Sequence, residues 1–149
     1  MDRPFQILLF YQYVEIADPE DFRIGHRELC EELGLRGRIL VAREGLNGTV
    51  SGEVAKTQRY MEELHGDERF ASMAFKIDPA DGHAFPKLSI KVRDEVVTLG
   101  LGAADIDPRE TTGRKLEPGE WQEMLEAGGD DLVILDGRNR YEAELGHFR

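Results

Sequence analysis

The chain has 149 residues and a formal net charge of −11, and 40% of its residues are hydrophobic, which is enough for one globular domain and part of a second. Polyphosphate repels an acidic surface, so this charge argues against indiscriminate nucleic-acid binding while leaving room for a local basic face. Residues 1–100 hold 13 basic and 18 acidic residues, and residues 101–149 hold 6 and 12. Any basic face is therefore expected in the first part of the chain.

Composition also limits location and metal chemistry. No apolar run approaches the ~20 residues that a membrane span needs, and the N-terminus lacks a secretory signal pattern, so we expect a cytoplasmic protein. Cys30 is the only cysteine, which excludes an intrachain disulfide framework and a cysteine metal cluster. The sequence has no phosphate-binding glycine loop, zinc-ligand cluster or Ser/His/Asp signature. We therefore expect no metal and find no evident cofactor.

The first hundred residues alternate between strand and helix patterns. Residues 5–14 are apolar and aromatic on both faces, which is typical of a central strand covered at least partly on both sides. Asp18 and Pro19 mark the start of a helix, and Gly34 marks its end. After a hairpin at 37–52, the pattern predicts a helix over 54–64, a strand over 73–77, a loop over 79–86 and a strand over 87–97. The order β-α-β-β-α-β with one extra strand predicts a ferredoxin-like α+β sandwich, whose helices cover one face of the sheet and leave the other open.

The hairpin at residues 37–52 is the most informative stretch. Both of its arms alternate as strands do. Gly45 and the pair Asn47-Gly48 tolerate the positive φ that a tight turn requires. Arg43 and Asn47 are then expected at the turn, where their side chains are free to meet a partner. The alternative is that the glycines serve backbone geometry alone.

Basic and aromatic side chains gather where the expected fold leaves the sheet open. They are Arg38, Arg43, Lys87, Lys91 and Arg93, with Tyr11 or Tyr13 nearby on the central strand. Such a surface is typical of a platform for single-stranded RNA, bound by charge and base stacking; the alternative is a solvated face. His83, in a glycine-containing loop, is the best functional candidate among the histidines, with a turn-stabilising role as the alternative. Cys30 lies on an apolar helix stripe, where a free cysteine is usually a small buried hydrophobe.

The pattern changes after residue 100. Residues 101–116 are expected to form a linker, and Glu117 and Pro118 open a helix that Gly128 ends. Residues 132–135 are apolar, which is typical of a short buried parallel strand. One helix and one strand cannot bury a core. Residues 117–149 are therefore expected to be the start of a second, α/β domain.

Several motifs carry a resemblance to a known family. The run Gly-Arg-Ile-Leu-Val-Ala-Arg-Glu-Gly-Leu-Asn-Gly-Thr-Val-Ser-Gly at 37–52 resembles the signature of bacterial rhodanese-domain proteins that act as oxygen-dependent tRNA uridine hydroxylases. Supporting matches are Phe-Tyr-Gln-Tyr-Val at 10–14, Asp-Gly-His-Ala-Phe at 81–85, Val-Thr-Leu-Gly at 97–100, Asp-Gly-Arg-Asn at 136–139 and Gly-His-Phe at 146–148. The resemblance covers essentially the whole chain. Gly137 stands where alanine is expected, a mild departure.

The resemblance implies a fold, an activity and a partner. It implies a ferredoxin-like (acylphosphatase-like) domain at 1–100, a linker at 101–116 and the start of a rhodanese-like domain at 117–149. The family 5-hydroxylates the wobble uridine of tRNA with molecular oxygen as co-substrate. Its catalytic cysteine lies beyond residue 149, so we expect no catalytic residue in this chain and no activity from it alone. The residues expected to bind tRNA are Arg43, Asn47, His83, Lys87 and Lys91.

Two alternatives stay open at this point. The rhodanese resemblance is compatible with a sulfurtransferase whose front domain orients a persulfide acceptor. The acidic surface and the edge strands of a ferredoxin-like sheet are compatible with a non-catalytic domain that binds other proteins. The first predicts thiosulfate:cyanide activity without tRNA hydroxylation, and the second predicts protein partners without tRNA.

Overall fold

A computed structural model describes residues 3–97, 109–110 and 113–147. The chain divides into two compact units, Met1–Thr112 and Gly113–Arg149. The predicted boundary after residue 100 and most of the predicted linker at 101–116 lie outside the described residues. Within the described ranges, no helix is both long and apolar enough to cross a bilayer.

The described part of the first unit contains a five-stranded sheet and two α-helices. In chain order these are β1 (Phe5–Tyr13), α1 (Pro19–Glu32), β2 (Arg36–Ala42), β3 (Gly45–Glu53), α2 (Val54–His65), β4 (Phe75–Ala80) and β5 (Leu88–Val92), with a 3₁₀ turn at Glu68–Phe70. The strand order is β4-β1-β3-β2-β5. Neighbours are antiparallel except β5, which runs parallel to β2. The ferredoxin-like α+β prediction is thereby confirmed, with β5 as the extra strand.

Local sequence explains where the helices begin and end. The carboxylate of Asp18 accepts hydrogen bonds from the backbone N–H groups of Glu20 and Asp21, at 3.1 and 3.0 Å, as an N-cap residue does. Helix α1 ends next to Gly34, whose φ of +65° belongs to the left-handed region that favours glycine. Both ends predicted for α1 from the sequence are therefore confirmed.

The core lies between the sheet and the two helices. Its fully buried side chains include Leu8, Ile39, Val41, Val50 and Tyr60. A hydrogen bond of 2.7 Å from Gln6 Nε2 to Thr57 Oγ1 shows that even-numbered β1 residues face α2. Odd-numbered β1 residues face the other way, and Leu9 and Tyr11 among them are 40% and 66% exposed. The expectation that β1 is at least partly covered on both sides therefore holds at Phe5 and Ile7, which are partly buried, and fails at Leu9 and Tyr11.

The hairpin differs from its prediction in one respect. Ala42 pairs with Gly45, so the turn is Arg43-Glu44, and Asn47 and Gly48 lie inside β3 rather than at the turn. A Cβ atom on Gly48 would lie 2.6 Å from Cζ of Phe10. This glycine is therefore required by close packing against the core and not by a turn.

The second unit has two short helices, α3 (Pro118–Ala127) and α4 (Arg140–Leu145). Each begins with a capping box, formed by Glu117 with Glu120 and by Asn139 with Glu142, and neither has a buried residue. The helix predicted from residue 117 is confirmed. Residues 132–135 do not form a strand, and within this unit's described residues there is no strand with which they could pair. The rhodanese-like character of this unit stays a prediction.

Candidate nucleic-acid interface

The sheet surface that faces away from α1 and α2 is called the open face below. Directly paired residues point to the same side of a sheet, so the register assigns each open-face residue to a row that crosses the strands. One row runs Lys76, Leu9, Thr49, Arg38, Ser89, and the next runs Tyr11, Asn47, Leu40, Lys91. The open face therefore carries basic residues at both edges, with the acidic Asp78 beside Lys76 on β4, and aromatic and apolar residues on the central strand.

The cations of the open face differ from those of the helices in their ion pairs. On the helices, Arg23 pairs with Glu20 and Arg27 with Glu31, and Arg59 pairs with Glu62 and Glu63. Among the described residues, no ion pair involves the exposed cations of β2, β4 and β5 or of their flanking turns: Arg36, Arg38, Arg43, Lys76, Lys87, Lys91 and Arg93. Their charge is consequently free to act on a ligand.

Val96 is fixed over one end of the open face. Its N–H donates to a carboxylate oxygen of Glu44 at 2.7 Å, and its carbonyl accepts from Nδ2 of Asn47 at 3.2 Å. Val96 is buried as a result. The Glu44 charge and partial burial also raise the pKa of Tyr13, with burial the larger cause. Asn47 thus uses its amide to hold a neighbouring segment of the chain.

His83 lies at the other end of the open face. It belongs to the connection 81–87, which leads from edge strand β4 to the opposite edge strand β5. Its Nδ1 is 3.2 Å from the carbonyl oxygen of Ser51, and its ring meets the ring of Phe5 edge-on at 4.9 Å. The N–H of Ala84 donates to Ser51 Oγ at 3.0 Å, and Ser51 is fully buried. The connection therefore crosses the sheet on its open side and covers it there.

The five predicted tRNA-binding residues do not form one compact cluster. Asn47 and Lys91 lie in the same row, two strands apart, and Arg43 is exposed at the hairpin turn. Lys87 immediately precedes β5, where its carbonyl accepts from the N–H of Gly37 at 3.1 Å. His83 is bonded to Ser51, four residues and about 14 Å along β3 from Asn47.

Sequence reasoning missed Lys76 as an open-face residue. Lys76 pairs with Leu9 on the central strand. The alternation Phe-Lys-Ile-Asp at 75–78 signals a strand with one polar face. The position of Lys76 next to β1 depends on the order of the strands in the sheet, and no local sequence pattern encodes that order.

Buried groups offer no catalytic nucleophile in the described part of the first unit. Cys30 is fully buried, and burial raises the pKa of its thiol to about 12, which disfavours the reactive thiolate. His26 is also buried, with Nε2 2.9 Å from the Tyr60 hydroxyl, and burial lowers its pKa to about 4. No group of three metal-ligating side chains occurs in the ranges that the structure describes.

The second unit has a small cavity of about 380 Å³ that Trp121, Ile134 and Arg138 help to line. Arg138 pairs with Asp136 at 2.7 Å and donates from Nη2 to the carbonyl of Gly146, also at 2.7 Å. Hydrogen bonds from Arg138 lower the pKa of Asp136 to about 2. Both polar side chains are thus engaged in holding local backbone.

Comparison with known proteins adds a family and several relatives. Residues 5–96 match the UPF0176 acylphosphatase like domain. The chain is 52% identical over 149 residues to a Bacillus licheniformis protein and 53% identical over 145 residues to a Staphylococcus haemolyticus protein, each named tRNA uridine(34) hydroxylase. These matches cover 100% and 97% of this chain but 45% and 44% of the relatives. The chain thus spans less than half the length of the curated relatives that it matches.

Solved structures support the fold alone. The BLUF protein BlrB, in its dark state, superposes with a TM-score of 0.50 at 18% identity, over 63% of this chain and 75% of that chain. At this identity, the likeness concerns the arrangement of strands and helices and carries no information about ligands.

Proposed function

Because the chain belongs to the family of the UPF0176 acylphosphatase like domain, we propose that it is the N-terminal part of a tRNA-modifying oxidoreductase. The reaction is hydroxylation of the wobble uridine of tRNA at carbon 5, with molecular oxygen as co-substrate, in the cytoplasm. One observation carries this proposal: relatives named tRNA uridine(34) hydroxylase are about half identical over the whole chain, across both compact units. The match is thus not confined to a shared fold.

Within that enzyme, this chain contributes tRNA contacts rather than the reacting group. Three of the expected contact residues, Arg43, Lys87 and Lys91, are exposed, and no ion pair in the described parts of the chain neutralises them. Cations without a protein partner attract RNA phosphates. Asn47 and His83 fix backbone at the two ends of the open face, so their contribution is to hold the edges of the surface that tRNA meets.

The reaction is tested by removing the gene from its host and analysing position 34 of tRNA by nucleoside mass spectrometry. We expect the 5-hydroxyuridine-derived nucleosides to disappear and the natural gene to restore them. Unchanged nucleosides after deletion would contradict the proposal. Sulfur transfer from thiosulfate to cyanide by the purified natural gene product, without loss of the nucleosides, would favour the sulfurtransferase alternative. Recovery of bound proteins but no tRNA would favour an interaction domain.

The contact residues are tested by complementation with single variants. Lys91→Ala and Arg43→Ala are each expected to lower the level of modified nucleoside and the affinity for tRNA. Lys56→Ala is the matched control, because Lys56 is an exposed cation on α2, on the other side of the sheet. Equal loss from the control, or full modification by folded Lys91→Ala and Arg43→Ala proteins, would refute these assignments.

A further inference from the structure

A strip of the open face stays uncovered between its two covered ends. We call it the transverse band, and its residues are Lys76, Leu9, Thr49, Arg38, Tyr11, Leu40 and Lys91. Tyr11 is 66% exposed and Leu9 is 40% exposed, although both lie on a central strand. Large apolar and aromatic side chains exposed side by side at the middle of a sheet are a common mark of an interaction site.

The covered ends decide the direction in which a ligand can lie. The connection 81–87 lies over Ser51 at one end, and Val96 lies beside Asn47 at the other. Ser51 and Asn47 are about 14 Å apart along β3, from a rise of ~3.4 Å per residue. In the direction across the strands, no described segment of the first unit is held by hydrogen bonds above Leu9 or Lys76. The uncovered strip is therefore short along the strands and open across them.

The cations along the strip match an extended polyanion, and one acid, Asp78, lies on the same face two residues from Lys76. Lys76 lies on edge strand β4 and Arg38 on β2, three strand spacings or about 14 Å apart. Lys91 lies one strand further, on β5. Between these cations are Leu9 and Tyr11, whose ring meets that of Tyr13 edge-on at 6.2 Å. Cations at both edges and an aromatic platform between them are the elements that bind single-stranded nucleic acid.

We propose that the transverse band binds two or three consecutive unpaired nucleotides of tRNA, which cross the sheet from β4 to β5. A base stacks on Tyr11 beside Leu9, and Lys76 and Arg38 hold the flanking phosphates. Four-stranded sheets with exposed aromatics stack two or three bases in this manner. Paired nucleotides do not offer a free base face, so the ligand is a loop rather than a stem. This inference rests on the proposed function, which supplies tRNA as the RNA.

Stacking is tested with variants of Tyr11 in the natural gene product. The probe is a labelled anticodon stem–loop RNA, and binding is followed by fluorescence anisotropy. We expect Tyr11→Ala to raise Kd roughly fivefold to a hundredfold, the range for loss of one stacked base. Tyr11→Phe keeps the ring and is expected to stay within about twofold of wild type. The control is Tyr141→Ala, because Tyr141 is also 66% exposed but lies in the second unit.

The phosphate contact is tested with Lys76→Ala, against Lys56→Ala as control. Loss of one phosphate contact to a single strand is expected to flatten the plot of log Kd against log salt by about 0.7. The control variant is expected to keep the wild-type slope. A blunt duplex RNA of equal length is expected to bind more weakly than the stem–loop, with no dependence on Tyr11.

Three results would overturn the inference: wild-type affinity in folded Tyr11→Ala, equal losses in Tyr11→Phe and Tyr11→Ala, or equal affinity for the duplex. Circular dichroism of each variant shows whether it has folded. The nucleoside analysis described above separates the two proposals. If gene deletion abolishes wobble hydroxylation but Tyr11→Ala binds normally, the enzyme assignment stands and the transverse band fails.

Discussion

Acid should destabilise the first unit through His26. This residue lies on α1, where its Nε2 is 2.9 Å from the Tyr60 hydroxyl and its ring stacks on that of Phe22 at 5.0 Å. Burial lowers its pKa from 6.5 to about 4. At pH 5, the unfolded chain therefore binds a proton at His26 that the folded chain excludes.

The sign and size of the effect follow from linkage. The folded pKa is below the unfolded pKa, so the stability is complete above pH 6.5 and decreases as the pH falls toward 4. The difference between the folded and unfolded pKa values of His26 corresponds to a loss of roughly 3 kcal/mol in the free energy of unfolding. About 2 kcal/mol of this is already lost at pH 5. A loss of this size is a large fraction of the 5–15 kcal/mol typical of domain stabilities.

Urea unfolding at pH 8 and pH 5, followed by far-ultraviolet circular dichroism, measures the difference. His26→Gln is the reference variant, because glutamine can still hydrogen-bond to Tyr60 but does not titrate. It is expected to be less stable than wild type at pH 8, since the ring contacts are lost. Between pH 8 and pH 5, however, it should lose about 2 kcal/mol less than wild type. An equal pH dependence in the two proteins would show that His26 does not carry the effect.

Two further predictions concern the core. Gly48→Ala places a Cβ 2.6 Å from the Phe10 ring and should lower the free energy of unfolding by about 1–3 kcal/mol. The control Gly82→Ala has no atom within 4 Å of the added Cβ and should be nearly neutral. Equal stability of the two variants would contradict the packing argument. Cys30 is buried, and the pKa of its thiol is about 12. It should therefore react with iodoacetamide only as fast as the first unit unfolds. Rapid alkylation of the native protein, measured by mass spectrometry, would show instead that the environment of Cys30 is open.

The elements that the sequence predicted correctly are those set by local chemistry. Asp18 and Pro19 start α1 and Gly34 ends it, because capping bonds and a left-handed φ involve neighbours in the chain. The two strands of the hairpin were also predicted correctly, from the alternation of side chains along each strand. Given these elements, the ferredoxin-like topology follows from the few ways in which short connections can join them.

The errors arose where distant parts of the chain decide the outcome. Asn47-Gly48 has the composition of a turn, but β3 continues through it because Gly48 packs against Phe10. The last strand ends at Val92 rather than near residue 97, since Glu44 and Asn47 hold Val96 over the sheet. Each of these contacts joins residues 38 to 52 positions apart. Local propensity contains no information about such contacts.

The candidate site shows the same division. Alternation in 87–93 correctly assigned Lys91 and its neighbours to one face of a strand. Lys76 was missed, because its place beside Leu9 depends on β4 pairing with β1 on the side away from β3. Tyr11 is exposed in a strand that looks buried from its composition, because it lies on the face that points away from α2. Composition reports how apolar a strand is, whereas the position of the helices decides which of its faces is covered.

Net charge was a poor guide to partners, because most of the acidic residues are separated in space from the cations of the sheet. The five strands of the sheet hold four basic and two acidic residues, whereas α1 and α2 hold four basic and seven acidic ones. The outer helix surfaces are at least one helix diameter, about 10 Å, from the open face. This exceeds the Debye length of about 8 Å at physiological salt. An RNA strand at the transverse band therefore meets Lys76 and Arg38 largely unscreened by those acids, while the acidic helix surfaces disfavour polyanions elsewhere.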